Sequence, residues 1–155
     1  MFERFAPTTR DALSSAVDEA ARRGERRVGT EHLLLGLLSD PAGSAAAALG
    51  TDLRSARAAL DALDRAALAA VGVDATAVPF PGYRRAHGRL RLTAAAGDVL
   101  RRTLRVAAAQ RSNRLQPEHL LMALLERPGL DPVPQLLARL DVDVAAVRAR
   151  LADAA

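Results

Sequence analysis

The stretch Thr30-Glu31-His32-Leu33-Leu34-Leu35-Gly36-Leu37-Leu38 returns 87 residues later as Pro117-Glu118-His119-Leu120-Leu121-Met122-Ala123-Leu124-Leu125, with six identities in nine positions. Agreement of that kind at one fixed offset points to a duplicated supersecondary unit. The same offset aligns Leu13, Val17, Ala20 and Ala21 with Leu100, Leu104, Ala107 and Ala108. Their spacing is that of one helix face, so each copy opens with an amphipathic helix. Beyond the motif the offset becomes 91, matching Leu49, Asp52, Leu53 and Arg57 to Leu140, Asp143, Val144 and Arg148. Copy one is four residues shorter in between, and a loop or a short third helix absorbs the difference.

Punctuation marks the helix limits. Thr8 or Thr9 and Thr93 suit the N-caps of the first helices, Thr30 that of the second helix in copy one, and Pro117 the first turn of its counterpart. Asp40-Pro41-Ala42-Gly43 and Arg127-Pro128-Gly129 end the second helices, and Asp52 and Asp143 cap the last ones. Between the copies lie Gly72, Pro79, Pro81, Gly82, Gly88 and the run Arg84-Arg85-Ala86-His87-Gly88-Arg89-Leu90-Arg91, which reads as a linker. The expectation is an all-α chain with repeat one at 1–70, a linker at 71–92 and repeat two at 93–152. A repeat of that size is marginal alone, so the two should pack as one globule about a pseudo-twofold axis, with about four helices each.

Composition agrees. The 155 residues are 50% apolar, but 35 are Ala, 25 Leu and 11 Val, with no Ile or Trp, which favours helix and a small Leu-dominated core. Without Cys there are no disulfides, thiolate metal sites or cysteine nucleophiles, and a cytoplasmic location is the expectation. Met1-Phe2-Glu3-Arg4-Phe5 does not read as a secretory signal, and no run approaches the roughly 18 apolar residues of a membrane span. All 22 basic residues are Arg, which with the Ala load looks like GC-rich, actinobacterial-like codon bias, and the net charge of +4 is modest.

The repeated Glu-His-Leu-Leu segment, the opening Met1-Phe2-Glu3-Arg4-Phe5 and the two-copy layout together resemble the N-terminal double-repeat domain of the ClpC-type Hsp100 chaperones, the Clp N domain. Its motif is typically Gly-Thr-Glu-His-hydrophobic-Leu-Leu-Gly-Leu, which Gly29 to Leu37 matches closely. Copy two keeps Glu118, His119, Leu120, Leu121 and the later leucines. The resemblance runs from Met1 to about Leu151. It implies a non-enzymatic protein-binding module of the Clp chaperone and protease system. The implied partners are Clp ATPase or protease components, adaptors, substrates and cyclic-peptide antibiotics, with no membrane and no cofactor. ATPase modules need a Gly-x-x-x-x-Gly-Lys-Ser/Thr loop, and with no Lys present the expectation is a free-standing N domain.

Glu31 and Glu118 stand in the first turns of their helices, where a carboxylate stabilises the helix start or, alternatively, receives a cationic group. The resemblance implies that these glutamates bind phosphoarginine on substrate proteins, one site per repeat, with the start of each first helix holding the phosphate. Copy two has Thr93 there, whereas copy one has Ala6-Pro7 ahead of Thr8 and Thr9. Copy two thus keeps the better phosphate end and copy one the better second helix. Phe2 and Phe5 either staple the chain start or, by the resemblance, form an aromatic edge for adaptors and peptides, with Leu92 replacing the matching aromatic of copy two.

His32 and His119 follow the glutamates, and adjacent helix positions diverge by about 100°, so no chelating pair forms. Each is expected to pack inside and hydrogen-bond backbone. No nucleophile motif is present, so no catalytic residue is assigned. Arg22-Arg23-x-x-Arg26-Arg27 and the linker run read first as solvated loop charge, then as contacts to an acidic protein. The alternative function is a nucleic-acid-associated regulator using Arg84, Arg85, Arg89 and Arg91, flanked only by the aromatics Phe80 and Tyr83.

Overall fold

The computed structural model describes residues 2–76 and 91–154. After a 3-10 turn at Phe2–Arg4, repeat one comprises α1 (Pro7–Arg22), β1 (Arg27–Val28), α2 (Thr30–Leu37), α3 (Ser44–Leu49) and α4 (Leu53–Ala70). Repeat two comprises β2 (Arg91–Leu92), α5 (Ala94–Ala109), α6 (Pro117–Leu125), α7 (Pro132–Arg139) and α8 (Val144–Asp153). The four extra residues of copy two add one residue to α6, lengthen the third helix from six residues to eight, and add one to the loop after it.

The helix starts differ from expectation at two points. Helix α1 begins at Pro7 with Ala6 as its N-cap and no side-chain cap. Thr8 and Thr9 therefore lie inside it, and buried Thr9 donates instead to the Leu115 carbonyl at 2.7 Å. Helix α2 is capped by Gly29, so Thr30 is already helical, and its hydroxyl donates to Asp131 Oδ1 at 2.7 Å. Thr93 caps α5 as expected, accepting from the Ala96 N–H at 3.1 Å. Asp52 and Asp143 likewise cap α4 and α8.

Helices α2 and α6 stand at the centre, touching elements of both repeats. Leu33, Leu34, Leu35, Leu120, Leu121 and Leu124 are at most 1% exposed. Burying each such side chain contributes roughly 2 kcal/mol. The buried stripe of α1 is Ala12, Ala16 and Ala20, while Val17 is 40% exposed. These small residues let α2 approach so closely that a Cβ on Gly36 would lie 2.2 Å from the Ala12 carbonyl oxygen.

The repeats are joined by an exchange of edges. β1 and β2 pair in parallel, Val28 opposite Leu92, and Phe5 bridges Leu115 in parallel as well. Under the 87-residue offset Phe5 corresponds to Leu92 and Val28 to Leu115. Each repeat's lead-in to its first helix thus pairs with the other repeat's lead-in to its second. The Ala6 N–H donates to the Leu115 carbonyl at 3.0 Å, and its counterpart Thr93 N–H to the Val28 carbonyl at 2.9 Å. Arg91 and Leu92, expected as linker, are therefore strand, because pairing with β1 satisfies their backbone. Phe5, only 5% exposed, packs on Ala107 and Leu115 of repeat two, as a staple would.

The first arginine cluster is not simply solvated. Arg26 and Arg27 are exposed, but Arg23 donates to Glu25, Asp61 at 2.7 Å and Asp64, tying the end of α1 to α4. Buried Glu19 meanwhile accepts from Arg57 of α4. The second cluster lies, except for Arg91, outside the described residues, as do His87, Phe80 and Tyr83.

Candidate functional site

Two helix starts meet where β1 and β2 pair. Thr93, the N-cap of α5, is hydrogen-bonded to Val28, and Val28 immediately precedes Gly29, the N-cap of α2. The starts of α5 and α2 are thus linked by one backbone hydrogen bond, and the N–H groups and positive dipole end of a helix start favour an anion. Glu31 stands on the first turn of α2 with its side chain 17% exposed. Its carboxylate folds back over Gly29, where an added Cβ would lie 2.4 Å from Oε2 and would displace the carboxylate. Thr93 and Glu31 come from different repeats, and the edge exchange brings their helix starts together.

The other pair of starts is poorer. Ala6 carries no hydroxyl and Pro7 has no N–H. Thr8 lines a cavity of about 310 Å³ with Asp11, Asp40 and Pro117, acids that repel an anion. Glu118 lines a different cavity, of about 420 Å³, with Gln110, Ser112, Gln116 and Met122. Thr8 and Glu118 thus line different cavities, while Thr93 is tied by its N–H to Val28, just ahead of α2.

Both histidines cap their helices. His32 Nδ1 accepts the Gly29 N–H at 2.9 Å, and His119 Nδ1 accepts the Gln116 N–H at 3.0 Å. This is a capping-box contact in which histidine occupies the third helical position. Glu25, Glu31 and His32 bring possible ligand atoms within 4.8 Å of one another. With Nδ1 taken, however, the ring proton sits on Nε2, which faces Glu25 Oε1 at 3.5 Å. The Nδ1 lone pair is committed to the Gly29 N–H, and the buried Nε2 has no hydrogen-bond partner among the described residues. The His32 contact holds the Glu25 carboxyl below the usual carboxylate range, against the opposing effect of burial.

Asp131 is a contributor that sequence reasoning missed. Buried at the N-cap of α7, it accepts from Thr30, from the Val133 N–H at 3.0 Å and from Arg127 at 2.8 Å. It thereby pins the start of α2 to repeat two. The visible signal was an Asp before Pro132, the pattern of a cap. At the expected peptide-binding edge, Leu92 is 44% exposed and Phe5 is enclosed, so Leu92 is the one that faces solvent. The Phe2 side chain lies outside what is described.

A duplicated all-helical domain with exchanged edges and paired helix starts is a recognised class. Residues 4–79 and 91–155 match the Clp repeat (R) N-terminal domain, and the chain belongs to that family. The ClpA homolog of the Clp protease ATP-binding subunit from Porphyra purpurea is 33% identical over 154 residues, 97% of this chain. Chaperone protein ClpC1 of Arabidopsis thaliana chloroplasts is 32% identical over the same extent. The chain spans 17% and 15% of the lengths of these two relatives. Among solved structures, the N-terminal domain of ClpD from Arabidopsis thaliana has a TM-score of 0.74 at 22% identity, covering 99% of this chain and 95% of that one. The Hsp104 N-terminal domain from Candida albicans reaches 0.64 at 17% identity, covering 95% and 88%. These two likenesses concern the fold. Among the described residues no helix is long and apolar enough to cross a membrane.

Proposed function

We propose that this domain is a binding module of the Clp chaperone and protease system that captures substrates or adaptors without catalysing a reaction. Its principal site takes phosphoarginine displayed on a protein. The observation that carries this reading is the pairing of β1 with β2, which sets the Thr93-capped start of α5 beside the start of α2 that bears Glu31. The phosphate meets the N–H groups and hydroxyl of the helix starts, and the guanidinium meets the Glu31 carboxylate in a planar two-point contact. The Glu118 site lacks a capping hydroxyl and contributes less.

Isothermal titration with free phosphoarginine tests this. Glu31→Ala or Thr93→Ala should weaken binding at least about ten-fold, since each removes a charge-assisted contact worth roughly 1.5–3 kcal/mol. Glu118→Ala should change it less than about two-fold. Absence of heat with the parent domain, or dependence on Glu118 alone, would remove the reading. Adaptors and cyclic peptides that dock on this domain would use the neighbouring exposed Leu92, and Leu92→Asp would weaken them without affecting free phosphoarginine.

A further inference from the structure

The groove between the first helix and the end of the second exists in both repeats, with opposite charge. In repeat one it is the cavity of Asp11, Ala12, Gly36, Ser39 and Asp40, and in repeat two the equivalent cavity of about 310 Å³ has Asp98, Val99, Ala123, Glu126 and Arg127. At the 87-residue offset Ser14, Ser15, Asp18 and Asp40 are replaced by Arg101, Arg102, Arg105 and Arg127, all four of which line the second groove. The two grooves occupy equivalent places in their repeats, and of the four arginines Arg127 also serves the fold through its pair with buried Asp131.

Three of these arginines are held in place. Arg101 pairs with Asp98, Arg102 with Glu126, and Arg127 with buried Asp131 at 2.8 Å. Arg105 is exposed, and among the described residues no ion pair engages it. Arg101 and Arg105 lie four residues apart on α5, so their guanidinium groups project from one face of the helix. Val99 and Ala123 lie beneath them, almost wholly buried.

We propose that the groove of repeat two is a docking site for an acidic protein segment, distinct from the phosphoarginine site and independent of it. Charge complementarity selects the occupant. Carboxylates on flexible aliphatic arms reach Arg105 and exchange with Asp98 and Glu126 for Arg101 and Arg102. A nucleic acid fits less well. Asp98 and Glu126 interrupt the positive surface that a continuous phosphate chain would follow, and no aromatic ring lines the groove for a base to stack on.

Fluorescence anisotropy with a labelled hexaglutamate peptide reads this directly. The parent domain should bind it at about 50 mM salt and lose most of the affinity by about 300 mM, as screening predicts. Arg101→Glu/Arg105→Glu, and the milder Arg101→Gln/Arg105→Gln, should each weaken binding about ten-fold or more. The control Arg111→Glu/Arg139→Glu changes the same number of exposed arginines elsewhere and should stay within about two-fold. Circular dichroism confirms that each variant is folded. No binding by the parent, equal losses in groove and control variants, or tighter binding of a single-stranded oligonucleotide than of the peptide would each overturn the proposal.

Discussion

His119 shows how one side chain fixes a helix start and couples it to pH. Its Nδ1 accepts the Gln116 N–H, and its Nε2 meets Gln110 Oε1 at 2.9 Å, so a second ring proton would be driven against a backbone N–H. Burial pushes its pKa below the ordinary histidine value of 6.5, only partly opposed by Glu118. The unfolded chain therefore takes up this proton at higher pH than the folded one. The contribution to stability is complete above about pH 6.5 and is lost as the pH falls through the lower folded value. Urea denaturation should show the midpoint falling between about pH 7.5 and 5.5, and His119→Gln should lower stability overall while flattening that fall. An unchanged slope in the variant would mean that another group titrates. Glu25 acts in a separate window, since its depressed pKa matters only below the ordinary carboxylate value of 4.5.

At the scale of elements, the contact of α1 with α2 is the tightest test of the packing. A Cβ at Gly36 would meet the Ala12 carbonyl oxygen at 2.2 Å and the Ala16 nitrogen at 2.9 Å, backbone atoms that cannot step aside. Gly36→Ala should destabilise the domain by about 2 kcal/mol through overpacking, despite alanine's better helix propensity. At the equivalent position repeat two already carries Ala123, and Ala123→Gly should cost only about 1 kcal/mol. Chemical denaturation of the two variants checks the contrast, and equal effects would contradict it. The helices themselves were legible in the sequence. The Glu-His-Leu-Leu repeat, the apolar spacing and the caps Thr93, Asp52 and Asp143 locate them with no tertiary information. Thr30 was misread because a threonine before an acidic turn resembles a cap, whereas Gly29 and the His32 ring do that work locally and Thr30 reaches 101 residues away to Asp131. Arg23 was misread for the same reason, its partners Asp61 and Asp64 lying on another helix.

For the whole molecule, the decisive feature left no local trace. A two-residue strand has no periodicity, so nothing in Arg27–Val28 or Arg91–Leu92 announced that the repeats exchange edges. The duplication suggested one site in each repeat, built on Glu31 and Glu118 with Thr8 and Thr93 at the starts of the first helices. How the helix starts group depends on the pairing across the pseudo-twofold axis, which sets the N-cap Thr93 of repeat two beside Val28, just ahead of the α2 start of repeat one. Asp131 reinforces the arrangement by holding Thr30, the neighbour of Glu31, against repeat two. The most direct test is a titration of the isotope-labelled domain with phosphoarginine, followed through its backbone amide resonances. The account predicts that the amides of Glu31 and Thr93 shift together along one saturation curve, with those around Glu118 moving less or later. Shifts at Thr93 that track Glu118 instead, or at Glu31 without Thr93, would contradict it.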